Sequence, residues 1–274
     1  MDCDNDGDVV YTRYLYNKNE VRQNLFVSLL ESNMEQALFW LFELYYSGFE
    51  EDTLDYLMEI YHLVYKRLHP KLEKYIESMI DKWRTDNDLC AYGNIVATLS
   101  TRTYDLQDFC KTYLHVEGTQ TEITKQRFFV SLKDTDIEKY KTDVSTIHKY
   151  RILQKQCIYP TRCEYNQIFN TLLPCFEDAT NMYRYHWLYY AYRSPIWKIR
   201  IEHYNGATQL NECSVIFKND DDSENFHQQW GYEPDEQSIH TLHNCIGRNE
   251  IKYVNIKDFC TKFGFQIKMI KKRK

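Results

Sequence analysis

The residues best suited to chemistry sit in the last third of the chain. His240, His243 and Cys245 fall close together, with His227 upstream. Zinc takes four nitrogen or sulfur ligands in a tetrahedron, and a helix presents residues i and i+3 on one face, so His240 and His243 can share a metal. The step from 243 to 245 suits a helix poorly, and no CxxC supplies the other half of a site. The sequence therefore favours a helix face with two exposed histidines and one buried cysteine, holding no metal. Asp220-Asp221-Asp222 and Asp235-Glu236 offer oxygen ligands but lack the alternation and the glycine of a calcium loop. Helix caps and solvated turns account for both stretches.

Nucleophilic chemistry has little support. Nine cysteines and nine histidines allow a Cys–His pair, yet no cysteine lies in a context that depresses its pKa, and a free cysteine is usually a small buried apolar residue. The chain contains no GxxxxGK[ST], GxGxxG, HExxH or GxSxG, which argues against the commonest nucleotide-binding and hydrolase plans. No catalytic, cofactor-binding or metal-binding residue is expected, and no cofactor.

Two features suit binding. One is the aromatic stretch 183–204, in which Arg184, Arg193, Lys198 and Arg200 alternate with tyrosines. Aromatic rings with arginine can stack bases or line a protein interface. The plainer reading makes Tyr185, Tyr189 and Tyr192 a core stripe with the cations on its rim. The other is the basic end: Lys268, Lys271, Lys272, Arg273 and Lys274. A short basic tail can contact phosphates or act as a localisation signal, or simply fray in solvent.

The elements that position these residues read as helices. The 274 residues are 43% hydrophobic, with 24 Tyr and 14 Phe but only 8 Gly and 5 Pro, which favours helices over many-turned β folds. Asn19 and Glu20 open a helix with Val21, Leu25, Leu29 and Leu30 on one face. Residues 34–47 form a second, apolar nearly all round and so suited to the middle of a layer. Gly48 stands where a left-handed residue would stop that helix. Glu50, Glu51 and Asp52 open a third helix reaching Leu68, and Pro70 fits the first turn of a fourth. Asp88 and Asp105 can cap two more. A strand is expected over 127–132 and another over 215–217. Later helices run from Asp178 to Tyr192, from Pro195 to Tyr204, to Trp230, through Cys245, and from an Asn255 cap to Gly264.

The expected fold is mainly α: antiparallel helical hairpins, as a bundle or a short solenoid-like stack, followed by a smaller mostly helical region with at most a few short strands. The expected organisation is an acidic tail (1–10), an N-terminal helical domain (11–115), a mixed linker or small α/β segment (116–165), a C-terminal helical region (166–264) and a basic tail (265–274).

The formal charge of −6 disfavours a general nucleic-acid coat. The odd cysteine count at wide spacing predicts free thiols in a reducing compartment. No signal peptide is evident, and the longest apolar run is far shorter than the ~20 residues that span a bilayer.

The run Trp187-Leu188-Tyr189-Tyr190-Ala191-Tyr192-Arg193-Ser194-Pro195-Ile196-Trp197, the Tyr204-Asn205-Gly206 stop and Trp230-Gly231-Tyr232-Glu233-Pro234-Asp235-Glu236-Gln237 resemble a helical protein family of large nucleocytoplasmic DNA viruses, the giant viruses. Leu38 to Phe49 is similar to the same proteins. The resemblance covers most of the chain and implies no activity. It implies a virus of a eukaryote and a place in the host cytoplasm, at the viral factory, or in the virion. The expected role is a non-catalytic interaction or scaffold protein that binds a protein partner through helical surfaces and does not engage a membrane. The alternative is a nucleic-acid-associated accessory factor in viral transcription, translation or packaging. A structural virion component is third, and an enzyme last.

Overall fold

Side chains at several helix starts set where the chain coils. In the computed structural model, which describes residues 9–121, 128–141 and 149–268, the Asn17 side chain accepts from the Asn19 amide at 2.9 Å and opens α1 (Lys18–Leu30). Asn33 does the same for α2 (Met34–Tyr45) through Gln36 at 3.1 Å. The three-residue link between them makes an antiparallel hairpin. In α2 every residue from Ala37 to Leu44 is buried, because the helix packs against α1, against α3 (Glu50–Ile60) and against α5 (Leu89–Ser100). Gly48 ends this stretch at φ +89°.

The third helix does not run smoothly to Leu68. Beyond α3 the chain widens into a π-helical turn, Tyr61–Tyr65, closed by Lys66 N donating to Tyr61 O at 2.8 Å. The widening frees the Val64 carbonyl, which accepts from Asp105 N at 2.8 Å. Pro70 lies in a separate turn before α4 (Leu72–Asp86) rather than in that helix. Asp88 caps α5 through Ala91 N at 3.1 Å. Asp105 accepts from Gln107 N at 2.8 Å as α6 (Gln107–Tyr113) begins.

The strand expected over 127–132 is not found. Arg127 lies outside the described residues, and 128–132 joins no ladder. Side chains take the ladder's place: Val130 N donates to Thr98 Oγ1 at 3.2 Å and Leu132 N to Asn94 Oδ1 at 2.6 Å, so the segment is stitched onto α5. The strand in this region is instead β1 (Gly118–Gln120).

The chain continues through α7 (Asp134–Ile137), α8 (Ile152–Gln156), α9 (Phe176–Tyr185), α10 (Trp187–Ala191) and α11 (Pro195–His203). The single helix expected from 178 to 192 is interrupted at His186, whose ring lies 3.1 Å from the Cys213 carbonyl. The interruption separates α9 from α10. Tyr183 is fully buried while Tyr185 is 67% exposed, so Tyr185 is not part of the core stripe.

Then come the hairpin β2 (Gly206–Gln209) and β3 (Ser214–Phe217), the helices α12 (Asp220–Trp230), α13 (Ile239–Ile246) and α14 (Ile256–Lys262), and β4 (Phe265–Ile267). Asn219, Ser238 and Asn255 cap the three helices. β4 pairs antiparallel with β1, Gly118 opposite Ile267 and Gln120 opposite Phe265. The fold is mainly α with two small two-stranded sheets among the described residues.

Buried apolar residues from Val9 to Phe265 form one hydrophobic cluster. Residues 1–8 lie outside the described residues, but Val9 is 2% exposed and belongs to the core rather than to a tail. The segment after it threads the centre of the molecule. Arg13 Nε meets Glu43 Oε2 at 2.9 Å, Arg13 Nη2 donates to Tyr140 O at 2.9 Å, and Trp197 Nε1 donates to Thr12 O at 3.0 Å. Among the described cysteines seven are free thiols, whereas Cys213 is disulfide-bonded, a departure from free thiols throughout. No helix among the described residues is long and apolar enough to cross a membrane.

Candidate functional site

The first turn of α1 carries an acid in an unusual place. Glu20 is its third residue, where a carboxylate ordinarily reaches back to the N-cap amide and enjoys the positive end of the helix dipole. Here the side chain turns inward and is 2% exposed. It belongs to a polar stripe: Glu20, Asn24 and Ser28 are spaced at intervals of four, all buried. The stripe faces the chain around 161–171, where Arg162 N donates to Asn24 Oδ1 at 3.0 Å.

Glu20 lines a cavity of about 280 Å³, together with Asn17, Cys163, Asn166, Arg248 and Asn249. The remaining wall is largely apolar, from Leu173, Pro174, Phe176, Ile246 and Tyr253 among others. Glu20 Oε1 and Asn166 Oδ1 are buried and have no hydrogen-bond partner. A buried polar atom without a partner costs about 1–3 kcal/mol.

Burial pushes the Glu20 carboxyl up to about 8, and the negative charge of Glu164 adds to the effect, while a hydrogen bond from Asn166 opposes it. Desolvation thus outweighs the helix dipole, and the acid keeps its proton at neutral pH. Burial likewise raises the Cys163 thiol to about 12, with Glu20 and Glu164 contributing. A protonated thiol is a poor nucleophile. The cavity can therefore hold a ligand and exchange a proton with it.

The cations expected to serve binding differ in exposure. Arg200 is not on a solvent rim. Its guanidinium lies over Trp230 at 3.8 Å and over Trp197 at 4.6 Å, and burial lowers its pKa. The reason is packing: Trp197, Trp230 and Tyr232 close around it as α11 meets the end of α12 and the chain that follows. Arg193 is exposed and lies over Tyr189 and Tyr190 at 5.2 and 5.5 Å. Lys198 is exposed and 6.0 Å from the Tyr192 ring. Arg184 is half-buried. Lys268 is exposed and its amide donates to Glu117 O at 2.8 Å. Lys271, Lys272, Arg273 and Lys274 lie outside the described residues.

His240, His243 and Cys245 do not converge. Cys245 is buried and receives the Tyr183 hydroxyl at 3.6 Å, whereas His243 packs on the Phe176 ring and His240 is exposed. No group of three His, Cys, Asp or Glu side chains among the described residues could hold a metal ion. Asp220, Asp221 and Asp222 form the first turn of α12, as capping chemistry requires.

Neither type nor spacing distinguishes Glu20, Asn166 and Arg248 in the sequence. The one local signal is the polar stripe 20–24–28 on a helix with leucines on its other sides. Comparison with known proteins finds no matching family model, no matching curated protein and no matching solved structure.

Proposed function

We propose that this chain is a non-catalytic interaction protein that holds its ligand in the Glu20 cavity. The observation that carries this reading is a cavity of about 280 Å³ walled in part by an otherwise buried acid, Glu20. A mostly apolar pocket with a few convergent polar groups and a perturbed acid is the usual form of a binding site. Binding is favoured over turnover because the cavity offers one carboxyl, protonated at rest, beside a thiol that is also protonated. The resemblance to giant-virus proteins sets the proposed setting as host cytoplasm or virion, which mass spectrometry of purified particles distinguishes.

Native mass spectrometry tests the reading. Wild-type protein and Asn166→Ala are exposed to a cell extract, then desalted. A stoichiometric adduct on the wild type, lost from the variant, is the expected result. No adduct on either, or a chemically converted one, overturns it.

The alternative, an accessory factor on nucleic acid, draws on the exposed Arg193 and Lys198 beside the tyrosines of α10 and its end. Salt-dependent RNA or DNA binding that weakens in R193A/K198A would favour it.

A further inference from the structure

Two short helices carry the same three residues. Asp108-Phe109-Cys110 lies in α6 and Asp258-Phe259-Cys260 in α14. In each helix the phenylalanine and the cysteine are the buried residues, and the aspartate is exposed. Each helix is followed by a strand, β1 or β4, and those two strands pair. Like residues then meet: the Phe109 and Phe259 rings lie 5.9 Å apart and the Cys110 and Cys260 sulfurs 4.0 Å. Gln120 Nε2 adds a hydrogen bond to Phe263 O at 2.9 Å, and the Lys268 amide one to Glu117 O at 2.8 Å. Two thiols 150 residues apart in sequence are thus held in contact by bonds in which neither takes part.

We infer that Cys110 and Cys260 form a peroxide-reactive dithiol that closes to a disulfide and fastens α6 to α14. Neither cysteine lines the Glu20 cavity, so the site stands apart from ligand binding there. A disulfide holds its sulfurs about 2 Å apart, so closure brings these two together by about 2 Å. Rotation of two side chains supplies a movement of that size. Lys111, Thr112, Thr261 and Lys262, the next residues along both helices, are exposed. Hydrogen peroxide, little larger than water, has a short way to travel.

The two thiols are unequal. The hydrogen bond to Cys260 raises the Cys110 thiol, and burial and the charge of Asp105 raise it further. The same bond lowers Cys260 below its ordinary value, against the effect of burial. Cys260 is therefore the thiolate that attacks and Cys110 the thiol that resolves. The Cys260 sulfur attacks one oxygen of hydrogen peroxide and the O–O bond breaks. Hydroxide leaves, takes up the proton that Cys260 had released, and becomes water; Cys260 becomes a sulfenic acid. The Cys110 sulfur then attacks the Cys260 sulfur and the S–O bond breaks. The second hydroxide leaves as water with the Cys110 proton. Two thiols lose two electrons and two protons, and one peroxide becomes two waters. A small thiol reverses the change by exchange.

The experiment treats the reduced full chain with a small excess of hydrogen peroxide, then denatures it, alkylates it and maps its peptides by mass spectrometry. The expected result is a disulfide joining the peptides of Cys110 and Cys260, lost on adding dithiothreitol. The oxidised chain should also unfold at a higher urea concentration, because the bond closes a long loop. In Cys110→Ser, Cys260 should accumulate as a sulfenic acid that dimedone, added with the denaturant, traps. In Cys260→Ser, Cys110 should stay a thiol. Recovery of both cysteines as free thiols, when exposed Cys175 is already oxidised, overturns the inference. So does oxidation of either to a sulfinic acid with no cross-link between them. Both outcomes are read on the wild type, so a variant that folds poorly does not blunt the test. Dimedone trapping at Cys110 in C260S, with none at Cys260 in C110S, overturns the assigned roles.

Discussion

Arg13 and Glu43 meet inside the helical layer, Nε to Oε2 at 2.9 Å, with the carboxylate wholly enclosed and the guanidinium nearly so. Glu43 Oε1 also accepts from Tyr14 N at 3.0 Å, and Ser47 Oγ accepts from Arg13 N at 2.8 Å. The pair pins the segment before α1 to the last turn of α2. Burial raises the Glu43 carboxyl, and Arg13 is the main opposing influence. Replacing one partner strands a buried charge, at about 3–5 kcal/mol. Glu43→Gln should lose that much stability in urea unfolding. Arg13→Met/Glu43→Leu should recover much of it, because desolvation of both charges is then removed as well.

Glu20 makes stability depend on pH. Its folded pKa of about 8 lies above the ordinary value of 4.5. Between those values the folded chain holds a proton that the unfolded chain has released. The contribution is full below pH 4.5, falls as pH rises, and levels off above 8. The slope is on the order of 1.4 kcal/mol per pH unit across the window. Unfolding curves for wild type and Glu20→Gln should diverge from pH 5 to 8 by this slope. Parallel curves would show that Glu20 is not buried as an acid.

Gly48 works twice. Its φ of +89° is strained for any residue with a side chain, and a Cβ there would lie 2.6 Å from Pro195 Cβ. Gly48→Ala should cost roughly 2–4 kcal/mol, combining left-handed strain with overpacking. The loss should appear as a lower denaturation midpoint with an unchanged m-value.

Cysteine labelling should track burial. Cys175 is exposed, whereas Cys110, Cys157, Cys163, Cys245 and Cys260 are buried. Under native conditions iodoacetamide should modify Cys175 first and leave the buried thiols untouched until the chain unfolds. Early labelling of Cys110 or Cys260 would mean that α6 and α14 separate readily, since the two Sγ atoms lie 4.0 Å apart across that contact.

Much of the architecture is legible locally. Asp88, Asn219 and Asn255 cap the helices their positions suggest, because a cap needs only its own side chain and an amide two or three residues on. The apolar circumference of α2 places it in the middle of the layer for the same reason: the pattern is carried by adjacent turns. The segment 128–132 misleads because its Phe and Val residues suit a strand, while its backbone partners, Thr98 and Asn94, come from a helix some thirty residues earlier. Arg200 misleads because an arginine among tyrosines looks exposed until Trp230 arrives from another helix to cover it.

The helices, their starts and stops, and the mainly α class arise from contacts within a turn or two of chain, which side-chain type and spacing specify. The cavity does not. Glu20 becomes an enclosed, protonated acid only when Cys163, Asn166, Phe176 and Arg248, far along the chain, close over α1. Desolvation depends on everything packed around a group, and that is decided by the folded arrangement of segments distant in sequence.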